Sequence, residues 1–329
     1  MIDTRLSLAL NEGGLVLPLD GCVGVFHPDP DAQLGDLPKD RVQIIADFKP
    51  HIDTWIARGY DARVTAEGRF AAAVVAIPRA KAEARAMIAH AAAQTDGVLV
   101  VDGQKTDGIE SLLRGMRLHT QVSAPITKAH GKLFWCTPDP DAFADWGAGP
   151  AQTDGGFWTA PGVFSADGID PASALLVEAL PDHLGARVAD LGAGWGFLSA
   201  HLLTRPDIKE LHVVEAGHMA LECARHNVTD PRADFLWADA TQWTPSDRLN
   251  AVVMNPPFHT GRSADPALGQ AFMRTAARIL HPQGQLWMVA NRHLPYETTL
   301  QTLFAKTTEL EGDGRFKLLH ASRPLRKRS

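Results

Sequence analysis

One segment constrains this chain more than any other. Asp190-Leu191-Gly192-Ala193-Gly194-Trp195-Gly196 lies between the apolar run ARVAD and the helical run FLSAHLLTR. Glycine at every second position permits positive φ and lets backbone approach a ligand closely. A Gly-rich turn after a strand and before a helix belongs to an open α/β sheet. The chain beyond this helix repeats the alternation: strand ELHVVEAG, helix HMALECARHNV, strand ADFLWADA, strand LNAVVMNPPFH, helix DPALGQAFMRTAARIL, strand GQLWMVAN, helix YETTLQTLFA and strand FKLLHASRP. Helix ASALLVEALP precedes the turn. This order predicts a parallel, doubly wound sheet.

The first half also alternates. LVLPLD, AAAVVAIP and GVLVVDG read as short buried strands, and Lys81–Gln94 and Thr106–Arg117 as helices. It has no Gly-rich turn after a first strand; Leu17–His27 is the nearest segment and lacks the order. At roughly 100–200 residues per domain, 329 residues suggest two domains. The Pro-, Gly- and Asp-rich stretch 136–161 is the best boundary, giving domains 1–150 and 151–329. Its end, FWTAPGVFSADGIDPAS, carries aromatics and is expected to be ordered against the second domain.

A net charge of −6 argues against a nucleic-acid coat protein but leaves room for local basic patches. Cys22, Cys136 and Cys223 are odd in number and far apart, so neither a metal site nor a disulfide framework is expected. The amino terminus lacks the pattern of a signal peptide, and no apolar run reaches 18 residues. These features point to a cytoplasmic protein with no membrane partner and no metal.

Four polar side chains fall at strand ends, where such sheets bind ligands. Asp190 leads the Gly-rich turn. A dinucleotide fingerprint G-x-G-x-x-G would place its third glycine at 197, where Phe197 stands. An acid followed by Gly192, Gly194 and Gly196 suits a cationic ligand such as S-adenosylmethionine (SAM), which carries a sulfonium and an amino group. Glu215 ends the next strand and could accept both ribose hydroxyls. Asp239, with Ala240 beside it, could hold an adenine amino group. Asn255-Pro256-Pro257-Phe258 closes the fourth strand. The Asn255 side-chain oxygen and the Pro256 carbonyl can each accept one hydrogen of a planar exocyclic amine, favouring the charge that develops when nitrogen attacks a methyl carbon. Pro257 stiffens the loop, and Phe258 offers a stacking face. His259 and Asn291 are further substrate contacts, with Arg292 and Tyr296 in reach. Trp195 either shapes the cofactor mouth or packs, and His201 and His226 are expected at the surface. The basic tail from Gly314 suits phosphate, or is idle.

Together these segments resemble class I methyltransferases, and among them the bacterial ribosomal RNA guanine-N2 methyltransferases, small-subunit type first and large-subunit type second. The resemblance rests on PGVFS (161–165), VADLGAGWG, MNPPFHTG (254–261) and ANRHLPYE (290–297). It extends weakly to the first half through DGVLVVDGQKTDGIESLLRGM and HGKLFWC. It implies two Rossmann-like methyltransferase domains in tandem: a first that is degenerate and serves RNA recognition or folding, and a catalytic second with a seven-stranded sheet. It further implies SAM as cofactor, ribosomal RNA or a ribosomal subunit as partner, and a monomer. Ala193 and Trp195 depart from the small or Cys/Thr residues usual there. Adenine N6, protein glutamine, a nicotinamide oxidoreductase and a non-enzymatic RNA chaperone or assembly factor are the alternatives. The α/β first half disfavours glutamine, Phe197 the oxidoreductase, and the complete polar set the chaperone alone.

Overall fold

Short, fully buried strands decide both halves of the molecule. VGVF, FAAAVVA, RVADL and LNAVVM bury nearly every side chain, as strands covered on both faces must. The computed structural model describes residues 2–257, 259–260, 263–264 and 266–326. Contacts divide the chain into two compact units, Met1–Pro150 and Ala151–Ser329.

In the first unit, β1 (Val23–Phe26), β2 (Val42–Ile45), β3 (Asp61–Arg63), β4 (Phe70–Ala76), β5 (Thr95–Gln104), β6 (Ile126–Lys128) and β7 (Gly131–Cys136) form one sheet in the order β3-β2-β1-β4-β5-β7-β6. Successive valines point to opposite faces. Val74 and Val100 pack beneath α1 (Ile2–Asn11) and α2 (Lys49–Ala57) through Leu6 and Trp55. Val75 and Val101 pack beneath α3 (Lys81–Ala93) and α4 (Ile109–Met116) through Ile88 and Leu112.

The second unit opens with a small hairpin, β8 (Ala151–Gln152) and β9 (Trp158–Thr159). Its main sheet takes β10 (Arg187–Leu191), β11 (Glu210–Glu215), β12 (Ala233–Trp237), β13 (Leu249–Met254), β16 (Leu280–Asn291), β17 (Phe304–Leu310) and β18 (Phe316–Pro324) in the order β12-β11-β10-β13-β16-β18-β17. The pair β14 (His259–Thr260) and β15 (Ser263–Ala264) stands apart from it. Helices α5 (Pro171–Ala179), α6 (Phe197–Leu202) and α7 (His218–Asn227) cover one face of the main sheet; α8 (Pro266–Ile279) and α9 (Glu297–Leu303) cover the other. The two main sheets thus share one strand order, and the α/β expectation holds for both.

Three readings need correction. Neither sheet is wholly parallel: β7 runs against β5 and β6, and β18 against β16 and β17. Only Ala129 and His130 join β6 to β7, and residues 311–315 join β17 to β18. Such short connections make hairpins, since a parallel crossover needs a dozen or more residues. Second, LVLPLD is not a strand. The Arg41 guanidinium binds the Pro18, Leu19 and Gly21 carbonyls at 2.7–2.9 Å, and the first strand is Val23–Phe26. Third, the basic tail is mostly the strand β18. Lys317 is buried there, bonded to the Leu294 carbonyl and to Glu297; Lys327 and Arg328 lie outside the described residues.

Candidate functional site

The turn after β10 is built by its glycines. Gly192, Gly194 and Gly196 take φ of 74°, 57° and 88°, a region costly for residues with a Cβ. The Gly192 and Ala193 amides both donate to the Val214 carbonyl of β11, pinning the turn to the sheet.

Asp190 is fully buried. Its Oδ2 accepts from Ser199 Oγ of α6 at 2.7 Å. Burial raises its carboxyl to about 7; the Ser199 bond opposes this and the nearby Glu215 adds to it. Glu215 braces the turn from the neighbouring strand. Its Oε2 accepts from the Gly194 amide at 2.7 Å, and its Oε1 from the Ala216 and Gly217 amides at 2.8 Å each.

Asn255 ends β13 half-buried. Its amide nitrogen donates to Asp170 Oδ2 and to Ser173 Oγ, both at 2.9 Å. A small cleft is lined by Phe164, Asp170, Ser173, Gly192, Gly194, Trp195 and Asn255, among others. Trp195 packs: it is buried against Phe157 and Phe197, and its ring N–H donates to the Phe164 carbonyl at 3.0 Å. It thereby ties the 161–165 loop to the mouth of the cleft. Asn227 adds a second tie, donating to the Trp158 and Trp195 carbonyls at 2.8 and 2.7 Å.

The cleft therefore joins Gly192, Gly194 and Asn255, with Glu215 one hydrogen bond away through the Gly194 amide; Asp190 and Gly196 do not line it. Other expected residues fall elsewhere. Asp239 Oδ1 accepts from Thr241 N and Oγ1 within its own turn, and neither it nor the buried Ala240 lines this cleft. Pro256 is buried and Pro257 exposed. Phe258 lies outside the described residues; His259 is described only as backbone of β14. Asn291 lines a separate open hollow with Arg292, His293 and Phe316. Tyr296 is a core residue, fully buried, its hydroxyl so close to Gly269 that no side chain could stand there. His226 is exposed, whereas His201 is half-buried against the Phe197 ring, 4.4 Å between centroids.

Phe164, Asp170, Ser173 and Asn227 were not singled out from sequence. One signal was present: Asp170 followed by Pro171 is a helix N-cap with proline at the first helical position, and Asp170 does cap α5 through the Ser173 amide at 2.8 Å.

Residues 154–320 match the family described as methyltransferase small domain. The chain belongs to the methyltransferase small domain family. Among its relatives, ribosomal RNA small subunit methyltransferase C of Hahella chejuensis is 30% identical over 238 residues, spanning 67% of this chain and 68% of that protein. Ribosomal RNA large subunit methyltransferase G of Streptomyces avermitilis is 32% identical, spanning 63% of this chain and 59% of that protein. The structure resembles the T. thermophilus 16S rRNA N2 G1207 methyltransferase, solved with AdoMet and guanosine. That match has a TM-score of 0.76 at 27% identity and covers 94% of this chain and 90% of that one. Methyltransferase family membership fits the cleft: the Gly-rich turn forms one wall of it, and Asp170 and Asn255 line the same space. Among the described residues, no cluster of three or more His, Cys, Asp or Glu could hold a metal ion.

Proposed function

We propose that this enzyme transfers a methyl group from SAM to the exocyclic N2 of a guanine in ribosomal RNA, with the small subunit as the favoured source of that RNA. The observation that carries the reading is the Asn255 amide. Both its hydrogens are engaged by Asp170 and Ser173, so its Oδ1 is left to accept a hydrogen from a planar amine at the cleft. Bound SAM supplies the methyl on a sulfonium. The chain's own groups do the rest. Gly192, Gly194 and Gly196 allow close approach of the backbone, and Glu215 holds the turn and can accept ribose hydroxyls. Asn255 Oδ1 and the Pro256 carbonyl each hold one amino hydrogen, so the nitrogen lone pair is directed at the methyl carbon. Asp239 and Ala240 complete the adenine side; Pro257, Phe258, His259 and Asn291 serve the RNA. Residues 151–329 form the catalytic domain, and residues 1–150 support folding or RNA recognition.

The relatives named as ribosomal RNA methyltransferases and the guanosine-bound neighbour support guanine over adenine or glutamine. No helix among the described residues is long and apolar enough to cross a membrane; a cytoplasmic monomer is part of the proposal. The test is methyl-labelled SAM with naked 16S RNA, 30S particles or 50S particles, followed by digestion to nucleosides. Label in N2-methylguanosine from one of them, lost with Asn255→Ala, is the expected result. SAM binding with no label in any RNA would sink the reading.

A further inference from the structure

The amide of Asn255 could face either way, because its two ends are nearly equal in shape. Three neighbours remove that freedom. Asp170 Oδ2 already accepts from the Ser173 amide at 2.8 Å as the cap of α5. The same oxygen accepts from Asn255 Nδ2 at 2.9 Å. Ser173 Oγ, on a buried side chain, accepts from Nδ2 at 2.9 Å as well. A carboxylate cannot donate, so it selects the amide nitrogen and turns the carbonyl oxygen away from itself. All three residues line the one cleft.

The geometry points to Asp170 and Ser173 as positioning residues that lock the Asn255 side chain with its oxygen toward the substrate amine. This rests on the methyl-transfer reading above and deepens it. The lock makes the site selective for a hydrogen-bond donor: an amino group meets an acceptor, while a keto oxygen in its place meets another oxygen. The α5 cap and the catalytic loop are then one device, since folding of the helix start sets the amide.

Three variants test this. Asp170→Ser keeps a capping hydroxyl but is too short to reach Asn255. With Ser173→Ala it frees the amide. Asp170→Asn retains an oxygen able to take both bonds. The double variant Asp170→Ser/Ser173→Ala should lower kcat on the order of 100-fold, with KM for SAM and the melting temperature little changed. Asp170→Asn should stay close to wild type. In an Asn255→Ala background the double variant should lower kcat no further, because the residues act through Asn255. An added loss in that background, a rise in KM with kcat intact, or no loss at all would overturn the assignment. A second readout needs no activity. In 15N spectra the Asn255 side-chain pair, identified by its absence in Asn255→Ala, should move in the double variant and hold its place in Asp170→Asn. If the pair does not move, the lock is wrong even where methyl transfer to guanine stands. If the pair moves but wild type labels no RNA, only the substrate reading fails.

Discussion

The two main sheets of this molecule have the same strand order and different loops, and their registers align residue by residue. Phe26 pairs with Ile45 and Leu191 with Val214. In the next position the His27 amide donates to the Ile45 carbonyl at 2.8 Å, as the Gly192 amide does to Val214 at 2.9 Å. Both residues have positive φ, 53° and 74°. Counting from these anchors, Asp190 stands where the first sheet has Val25, and Glu215 where it has Ala46. Asp239 corresponds to Ala66, and Asn255 to Ala76. Every polar group expected to hold cofactor or amine is apolar in the first sheet. The loop after β1 runs His27-Pro28-Asp29-Pro30, so a proline stands at the position of Ala193, whose amide donates to Val214 in the second unit. The same scaffold persists without counterparts of Asp190, Glu215, Asp239 and Asn255, because strand pairing depends on backbone and burial rather than on strand-end chemistry.

The first way to break this contrast is to damage one sheet only. The first unit is anchored by a buried pair, Arg5 Nε and Nη2 on the Asp102 carboxylate at 2.5 and 2.8 Å. Arg5→Met removes the cation from that carboxylate and should cost about 3–5 kcal/mol, lowering a melting transition by roughly 10 °C in calorimetry. SAM affinity unchanged by it would show that the two sheets are energetically separate. Next, Asn255→Ala should slow methyl transfer about 100- to 1000-fold, with SAM binding retained; the corresponding Ala76→Ser should leave the rate alone. Third, Glu215→Ala removes the acceptor of three backbone amides and should weaken SAM about 10- to 100-fold by titration calorimetry. Wild type should bind one SAM per chain; a second binding event would contradict the degenerate reading of the first unit.

A further effect concerns pH, and each unit has its own source. Burial raises the Asp190 carboxyl from 3.8 to about 7. Burial, with Asp47 nearby, raises Glu83 from 4.5 to about 7. In each case the unfolded chain loses its proton first. The stabilising contribution is therefore full below about pH 4 and is lost as pH rises to about 7, with no further slope above. Melting curves of the SAM-free protein should show this decline. Asp190→Asn should remove the part belonging to the second unit and Glu83→Gln that of the first.

The pattern of short apolar runs and helices was legible for the core of both sheets, because burial on two faces leaves few polar choices. Edge elements were not. The helical run YETTLQTLFA ends early: Phe304 and Ala305 open β17 instead, since an exposed edge strand needs no apolar run. The reversal of β7 and β18 comes from connection length and pairing, which composition does not mark. In the site, the Gly-rich turn and Asn255 could be read because their residue types are dictated by local geometry. Asp170, Ser173, Trp195 and Asn227 act through contacts 31 to 85 residues distant in sequence. No local signal reports such a partner.

By itself, then, the sequence determined the α/β class, the strand-end set Asp190, Glu215, Asp239 and Asn255, and the absence of a Gly-rich turn from the first half. These are properties of single segments, fixed by period, burial and backbone preference. Only the tertiary structure decided that Glu215 braces the turn, that Tyr296 and Lys317 belong to the packed interior, and that Asp170 sets the direction of the Asn255 amide. Each of those depends on which atoms folding brings within 3 Å of one another, and distance along the chain carries no record of that.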